Sequence, residues 1–222
     1  MADQITWRRI LQRFRWELLV PYDRAELRYW FIRQFPGLTG NMLRTRHIAR
    51  RVKKSGSNLS VYAGCRFRSL QNLEVGDNVT IGYDNFFQAR AGLTIGNNVI
   101  TGPGVKIWTA NHDYGDPDAA VADQGHTERA VVIGDNVFVG GNSFILPGVH
   151  LPEGCIVSAG SVVGMKAYRP FSILAGNPAR VIGYRGNRVP EPGADQAPAP
   201  STNGEVQSAA AETESGSPAS GR

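Results

Sequence analysis

The chain has 222 residues, a formal net charge of +5 and a pI near 9.5, enough length for one medium core, so one domain with extensions is expected. Its two cysteines, Cys65 and Cys155, are far apart and lack CxxC or zinc-ligand spacing, so they argue neither for a disulfide framework nor for a metal site. No apolar run approaches the roughly 18 residues that span a bilayer, and the start MADQITWRRI lacks the apolar core of a signal peptide, so a soluble, cytoplasmic protein is expected.

Residues 1–54 form a basic, partly helical segment with 13 Lys/Arg against 4 Asp/Glu, +9, whereas residues 55–222 carry 11 against 15, −4. In WRRILQRFRWELLVP, Trp7, Ile10, Leu11, Phe14 and Leu18 recur at spacings of three and four with Arg8, Arg9, Arg13 and Arg15 between them. Pro21 ends that run, and DRAELRYWFIRQF repeats the habit with Leu27, Trp30, Phe31 and Phe35. Two arrangements fit such a segment. It can lie on an anionic membrane, here the inner membrane surface, as a peripheral contact. Alternatively it caps the main domain with its apolar face, arginine stems rimming the contact, and this is the arrangement expected.

From Val75 an aliphatic residue recurs every sixth position, often followed by Gly: VGDNVT, IGYDNF, then IGNNVI, TGPGVK, then IGDNVF, VGGNSF, ILPGVH, LPEGCI, VSAGSV. Six is the period neither of a helix nor of an ordinary strand. It fits a coil of three short parallel strands per turn, the first residue of each hexad pointing inward and Gly, Asn or Asp turning the corners. The fifth position is small or β-branched (Val79, Val99, Val105, Val137, Ser143, Val149), and Cys155 and, by extension of the register to Val61, Cys65 fall there, so both thiols are expected to be buried and unreactive.

Two extra residues before Val75 and before Ile95 are absorbed as longer corners. From Ile107 to Ile133, however, is 26 positions where one hexad takes six, so 20 residues, Asp113 to Val132, leave the coil as a loop just after His112. The coil domain is placed at 55–188 with this loop at 113–132. The remainder, 189–222, is rich in Pro, Ala, Gly, Ser and Glu with almost no large apolar residue, and is expected to be disordered.

The hexads, NHDY at the loop exit, ILPGV, VSAGSVV and the terminal FSILAGNPARVI resemble the hexapeptide-repeat acyltransferases, in particular sugar O-acetyltransferases of the galactoside/maltose acetyltransferase type, over roughly Val61 to Arg185. The resemblance implies an all-β, left-handed parallel β-helix, a homotrimer with active sites between subunits, and acetyl-CoA as acyl donor. It implies transfer of acetyl to a hydroxyl of a sugar or glycan, with His112 as the base that takes the hydroxyl proton, a role suited to imidazole because its pKa lies near operating pH. His126, His150 and His47 are expected at the surface. Direct attack without an acyl-enzyme follows from the lack of a Ser or Cys in a nucleophile elbow.

By the same resemblance the oxyanion donor is the backbone N–H of Gly141, where the family often has Ser or Ala. Ala159 meets the pantetheine arm, Lys166 and Arg180 lie near the nucleotide phosphates, and Asn177 and Pro178 lie against the adenine end. The family's substrate-orienting Asn aligns with Gln88, a longer amide, with Asn85 close enough in sequence to substitute. Trp108 and Tyr114 can offer a flat face to a sugar ring or to trimer packing. Serine or an amino sugar is an alternative acceptor. A metalloenzyme like the γ-class carbonic anhydrases needs three converging histidines, and His112, His126 and His150 lack the spacing, so no metal is expected. A non-catalytic scaffold lacks a use for the histidine and the donor motif, and nucleic-acid binding has no motif behind it.

Overall fold

The computed structural model describes residues 6–187, and the stretch expected to be disordered, 189–222, lies outside them. The hexads form a parallel β-solenoid of about six turns with three sheets as its faces. The first face stacks Lys54–Ser55, Leu73–Val75, Leu93–Ile95, Val131–Ile133 and His150–Leu151. The second stacks Ser60–Val61, Thr80–Ile81, Ile100–Thr101, Phe138–Val139, Ile156–Val157 and Ser172–Gly176, closed by the antiparallel Ala179–Tyr184. The third stacks Arg66–Arg68, Phe86–Gln88, Lys106–Trp108, Phe144–Ile145 and Val162–Val163.

The register follows the hexads. Val61 pairs with Ile81, Ile81 with Thr101, Thr101 with Val139 and Val139 with Val157, each a first-position residue that is buried. Between them sit the fifth positions, of which Cys65, Val79, Val99, Val105, Ser143, Val149 and Cys155 are buried as well. Burial pushes both thiols up to about 11, so each stays a protonated packing group. The corner between the first and second faces is turned by Asn58, Asn78, Asn98 and Asn136, all at φ 55–57°, the left-handed region that asparagine tolerates better than other side chains. Asn58 Nδ2 donates to Asn78 Oδ1 at 2.9 Å and Asn78 Nδ2 to Asn98 Oδ1 at 3.1 Å, a ladder that ties successive turns. At Gly154, φ +72°, the ring of Phe171 occupies the space a Cβ would take.

Three helices precede the coil: α1 (Trp7–Glu17), α2 (Pro21–Arg33) and α3 (Gly37–Ala49). Thr6 caps α1, its hydroxyl accepting from Arg9 N–H at 3.4 Å. Helix α3 plugs the open end of the coil, where Ser60–Val61 has no preceding strand to pair with. Ile48 is fully buried there, Thr45 Oγ1 accepts from Val61 N–H at 3.1 Å, and Arg44 Nε donates to Val61 C=O at 3.0 Å. Side chains of a helix thus satisfy the backbone groups an edge strand would leave open. Helix α2 adds Tyr29, whose hydroxyl donates to Cys65 C=O at 2.9 Å. The expected cap is therefore supplied by α2 and α3, but not by α1, whose apolar residues are exposed.

Candidate functional site

The break in the ladder is a β-hairpin. Thr109, fully buried, is its root: Thr109 Oγ1 donates to Gln88 C=O and accepts from Ala91 N–H, both at 3.0 Å, and Thr109 C=O accepts from Arg129 N–H at 2.8 Å. Above it Ala110–His112 pairs antiparallel with His126–Glu128, Asn111 opposite Thr127 and His112 opposite His126. The excursion therefore spans 109–130 rather than 113–132: the hairpin pairs backbone that hexad counting assigns to the coil, while Val131 and Val132 already pair with Leu93 and Thr94. His112 stands inside the excursion, exposed, its ring centroid 4.1 Å from that of His126. Asp113 accepts from the Thr127 hydroxyl beside it. A periodic count gives no signal for His126, because its placement comes from antiparallel pairing outside the period.

Gln88 and Asn85 have other duties than touching an acceptor. Gln88 Oε1 accepts from Thr109 and Ala110 N–H, both at 3.1 Å, so its carboxamide oxygen holds the start of the hairpin. Asn85 is a correction to expectation: it is fully buried at a fifth position, with Nδ2 donating to the carbonyls of Gly82, Tyr83 and Gly102. It is a corner residue without surface to offer a ligand. Trp108 is half-buried and edge-on to Phe86 and Phe144, with centroids at 6.1 and 5.1 Å, so its ring faces are used in packing on the third face. Tyr114 is exposed on the excursion.

The donor-side residues line a different edge, between the second and third faces. Gly141 lies in that corner one turn above Gly102, and Gly160 N–H donates to Gly141 C=O at 2.9 Å in the next turn. The N–H of Gly141 itself meets no acceptor among the described residues. Ala159, exposed, follows in the same corner, and Asn177 and Pro178, exposed at the turn of the terminal hairpin, continue the line. Small residues dominate this edge for a packing reason: a Cβ on Gly102 would stand 2.6 Å from Gly141 N, and one on Gly140 2.5 Å from Ala159 N. Arg180 is exposed beside that turn. Lys166, also exposed, lies instead after Val162–Val163 on the edge that carries the His112 excursion. Neither cation has an ion-pair partner among the described residues. His150 stands on the first face, and no group of three His, Cys, Asp or Glu is placed to hold a metal ion among the described residues.

A family model described as the hexapeptide repeat of succinyl-transferase matches residues 130–164. The solved structure of a maltose O-acetyltransferase from Clostridium difficile 630 is 27% identical, with a TM-score of 0.65 over 73% of this chain and 84% of that one. A galactoside acetyltransferase in complex with coenzyme A is 25% identical, with a TM-score of 0.65 over 74% of this chain and 80% of that one. A Saccharomyces cerevisiae protein whose naming as an acetyltransferase is itself provisional shares 37% identity over 112 residues, 50% of this chain and 55% of that one. The chain spans little more than half the length of the curated relatives it matches. The chain is thus a parallel β-solenoid built on a hexapeptide period, with residues 130–164 matching a hexapeptide-repeat model and the whole resembling the maltose and galactoside acetyltransferases.

Proposed function

We propose that the chain transfers an acetyl group from acetyl-CoA to a sugar hydroxyl, in a site shared between neighbouring copies of a homotrimer. The observation that carries this reading is the division of the site residues between two edges of one coil. His112 rises from the edge between the third and first faces, while Gly141, Ala159, Asn177 and Pro178 line the edge between the second and third. One side of the coil is about six residues, on the order of 15–20 Å, too wide for a single carbonyl carbon to touch both. A neighbouring copy supplies the second edge. The likeness to a maltose and a galactoside acetyltransferase, the latter holding coenzyme A, supports both donor and acceptor class.

In this site the His112 imidazole takes the acceptor's hydroxyl proton as its oxygen attacks the thioester carbon. The free N–H of Gly141 donates to the carbonyl oxygen as charge develops on it. The C–S bond then breaks, and the imidazolium returns its proton to the departing CoA sulfur, leaving the sugar ester and free thiol. Small residues along the donor edge leave room for an extended pantetheine arm, with Arg180, and Lys166 from the adjoining edge, offering charge to phosphate.

The test is thiol release from acetyl-CoA over a panel of sugars, with serine and amino sugars alongside. His112→Ala should bind CoA and lose about 100- to 10,000-fold in turnover; undiminished turnover would discard the assignment. Ala159→Trp, which fills the exposed donor edge, should also be inactive. Mixing the two inactive proteins under conditions that exchange subunits should restore about a quarter of the sites, those that pair His112 of one copy with Ala159 of the other. No recovery despite exchange rules out sharing.

A further inference from the structure

Helix α1 has no part in the coil or in the site proposed above, yet it is the most amphipathic of the three described helices. Trp7, Leu11, Phe14 and Leu18 fall at i, i+4, i+7 and i+11, one stripe of a 3.6-residue helix, with Ile10 beside them. The stripe faces solvent: Trp7 is 79% exposed, Leu11 59% and Phe14 46%. Arg8 and Arg15 follow one flank of the stripe and Arg13 the other, Arg13 lying over the Trp16 ring at 5.3 Å. The first turn holds no acid. Beyond α1, Trp30, Phe31 and Leu38 are also exposed, at 58%, 63% and 85%.

We propose that α1 docks the protein on an anionic phospholipid bilayer, its Trp7–Leu11–Phe14–Leu18 stripe inserted among the acyl chains and its flanking arginines on the headgroup phosphates. Charge selects this occupant over a second copy of the helical segment. Residues 1–54 carry +9, so two such segments repel, whereas a negative leaflet attracts them. Length selects the pose. Eleven residues rise about 16 Å, half of a hydrocarbon core of about 30 Å, and among the described residues no helix is long and apolar enough to cross a membrane. The helix therefore lies in the interface plane, where tryptophan and arginine are both at home.

The experiment is co-sedimentation of the full chain with vesicles of phosphatidylcholine containing 30% phosphatidylglycerol, against phosphatidylcholine alone, with mass by light scattering run in parallel. Wild type should pellet with the anionic vesicles, weaken as salt is raised, and bind neutral vesicles far less. Leu11→Gln with Phe14→Gln, at exposed positions that leave the coil intact, should lower the partition coefficient at least a hundredfold. Arg8→Gln with Arg15→Gln should lower it about thirtyfold and flatten the salt dependence. The solution mass should be the same for wild type and both variants. Equal binding to neutral vesicles, undiminished binding by the Leu11/Phe14 variant, or a smaller assembly in that variant without vesicle binding by wild type would each overturn the proposal.

Discussion

Arg44 is a guanidinium inside the protein, 2% exposed, and its removal should show what closes the coil. Its Nε donates to Val61 C=O at 3.0 Å, and its Nη1 donates to Phe35 C=O at 2.6 Å and Ile32 C=O at 3.1 Å. Ile32 C=O keeps a second donor, Phe35 N–H at 3.2 Å, and Arg33 C=O, which accepts from Nη1 at 3.5 Å, keeps Gly64 N–H at 3.1 Å, so Arg44→Met takes the donor from two carbonyls, those of Val61 and Phe35. An unsatisfied buried group costs about 1–3 kcal/mol, and removing the desolvated cation gives some of that back. The net loss should be about 2–4 kcal/mol. Arg44→Lys, whose single nitrogen cannot stand at both the Nε and the Nη1 positions, should fall between. Urea unfolding followed by tryptophan fluorescence and far-UV circular dichroism would report the change in midpoint, and hydrogen exchange should show it first at Ser60–Val61. A variant within about 0.5 kcal/mol of wild type would refute the reasoning, because it would mean that desolvation of the cation cancels its hydrogen bonds.

Two further changes test the packing around the site and the cap. His47 stacks on Tyr29 with centroids 4.9 Å apart, and burial, reinforced by Arg51 and Arg28, pushes its pKa down to about 4. The unfolded chain takes this proton near pH 6.5, so between pH 6.5 and 4 the unfolded state binds more protons and stability falls as pH drops, by about 3 kcal/mol over the whole span. His47→Gln should flatten that part of a plot of urea midpoint against pH, and an unchanged slope would contradict the assignment. At the root of the hairpin, Gln88→Ala should let the amides of Thr109 and Ala110 exchange about tenfold faster, while Gln88→Glu, which keeps an acceptor, should protect them. Equal exchange in both would show that the hairpin stands without this anchor.

The coil was readable because the period that sends Val61, Ile81 and Val139 inward is the same residue after residue, independent of neighbours. That register also assigns Asn85 to the interior, as it does Val79. Closeness in sequence to Gln88 offers Asn85 as an acceptor contact instead, and the geometry sides with the register. Helix α3 left little trace in the sequence: GLTGN opens on glycines that disfavour a helix, and Gly40 is there because Phe35 C=O leaves no room for a Cβ. Hexad counting misplaces the start of the excursion by four residues because Thr109 and Gln88, not the hexad pattern, decide where the chain turns away. Antiparallel pairing of His112 with His126 depends on the fold of the excursion alone.

All of the chain's departures from hexad regularity before Val163 are gathered at one edge. The two extra residues of the early turns fall around 69–72 and 89–92, and the hairpin leaves at 109 from the same side. The other two edges keep their spacing throughout. Length and sequence can therefore drift at that single seam without asking the interior to repack. Under the function proposed here, selection could retune which acceptor is admitted by rewriting the hairpin, while the donor track across the prism stays as it is.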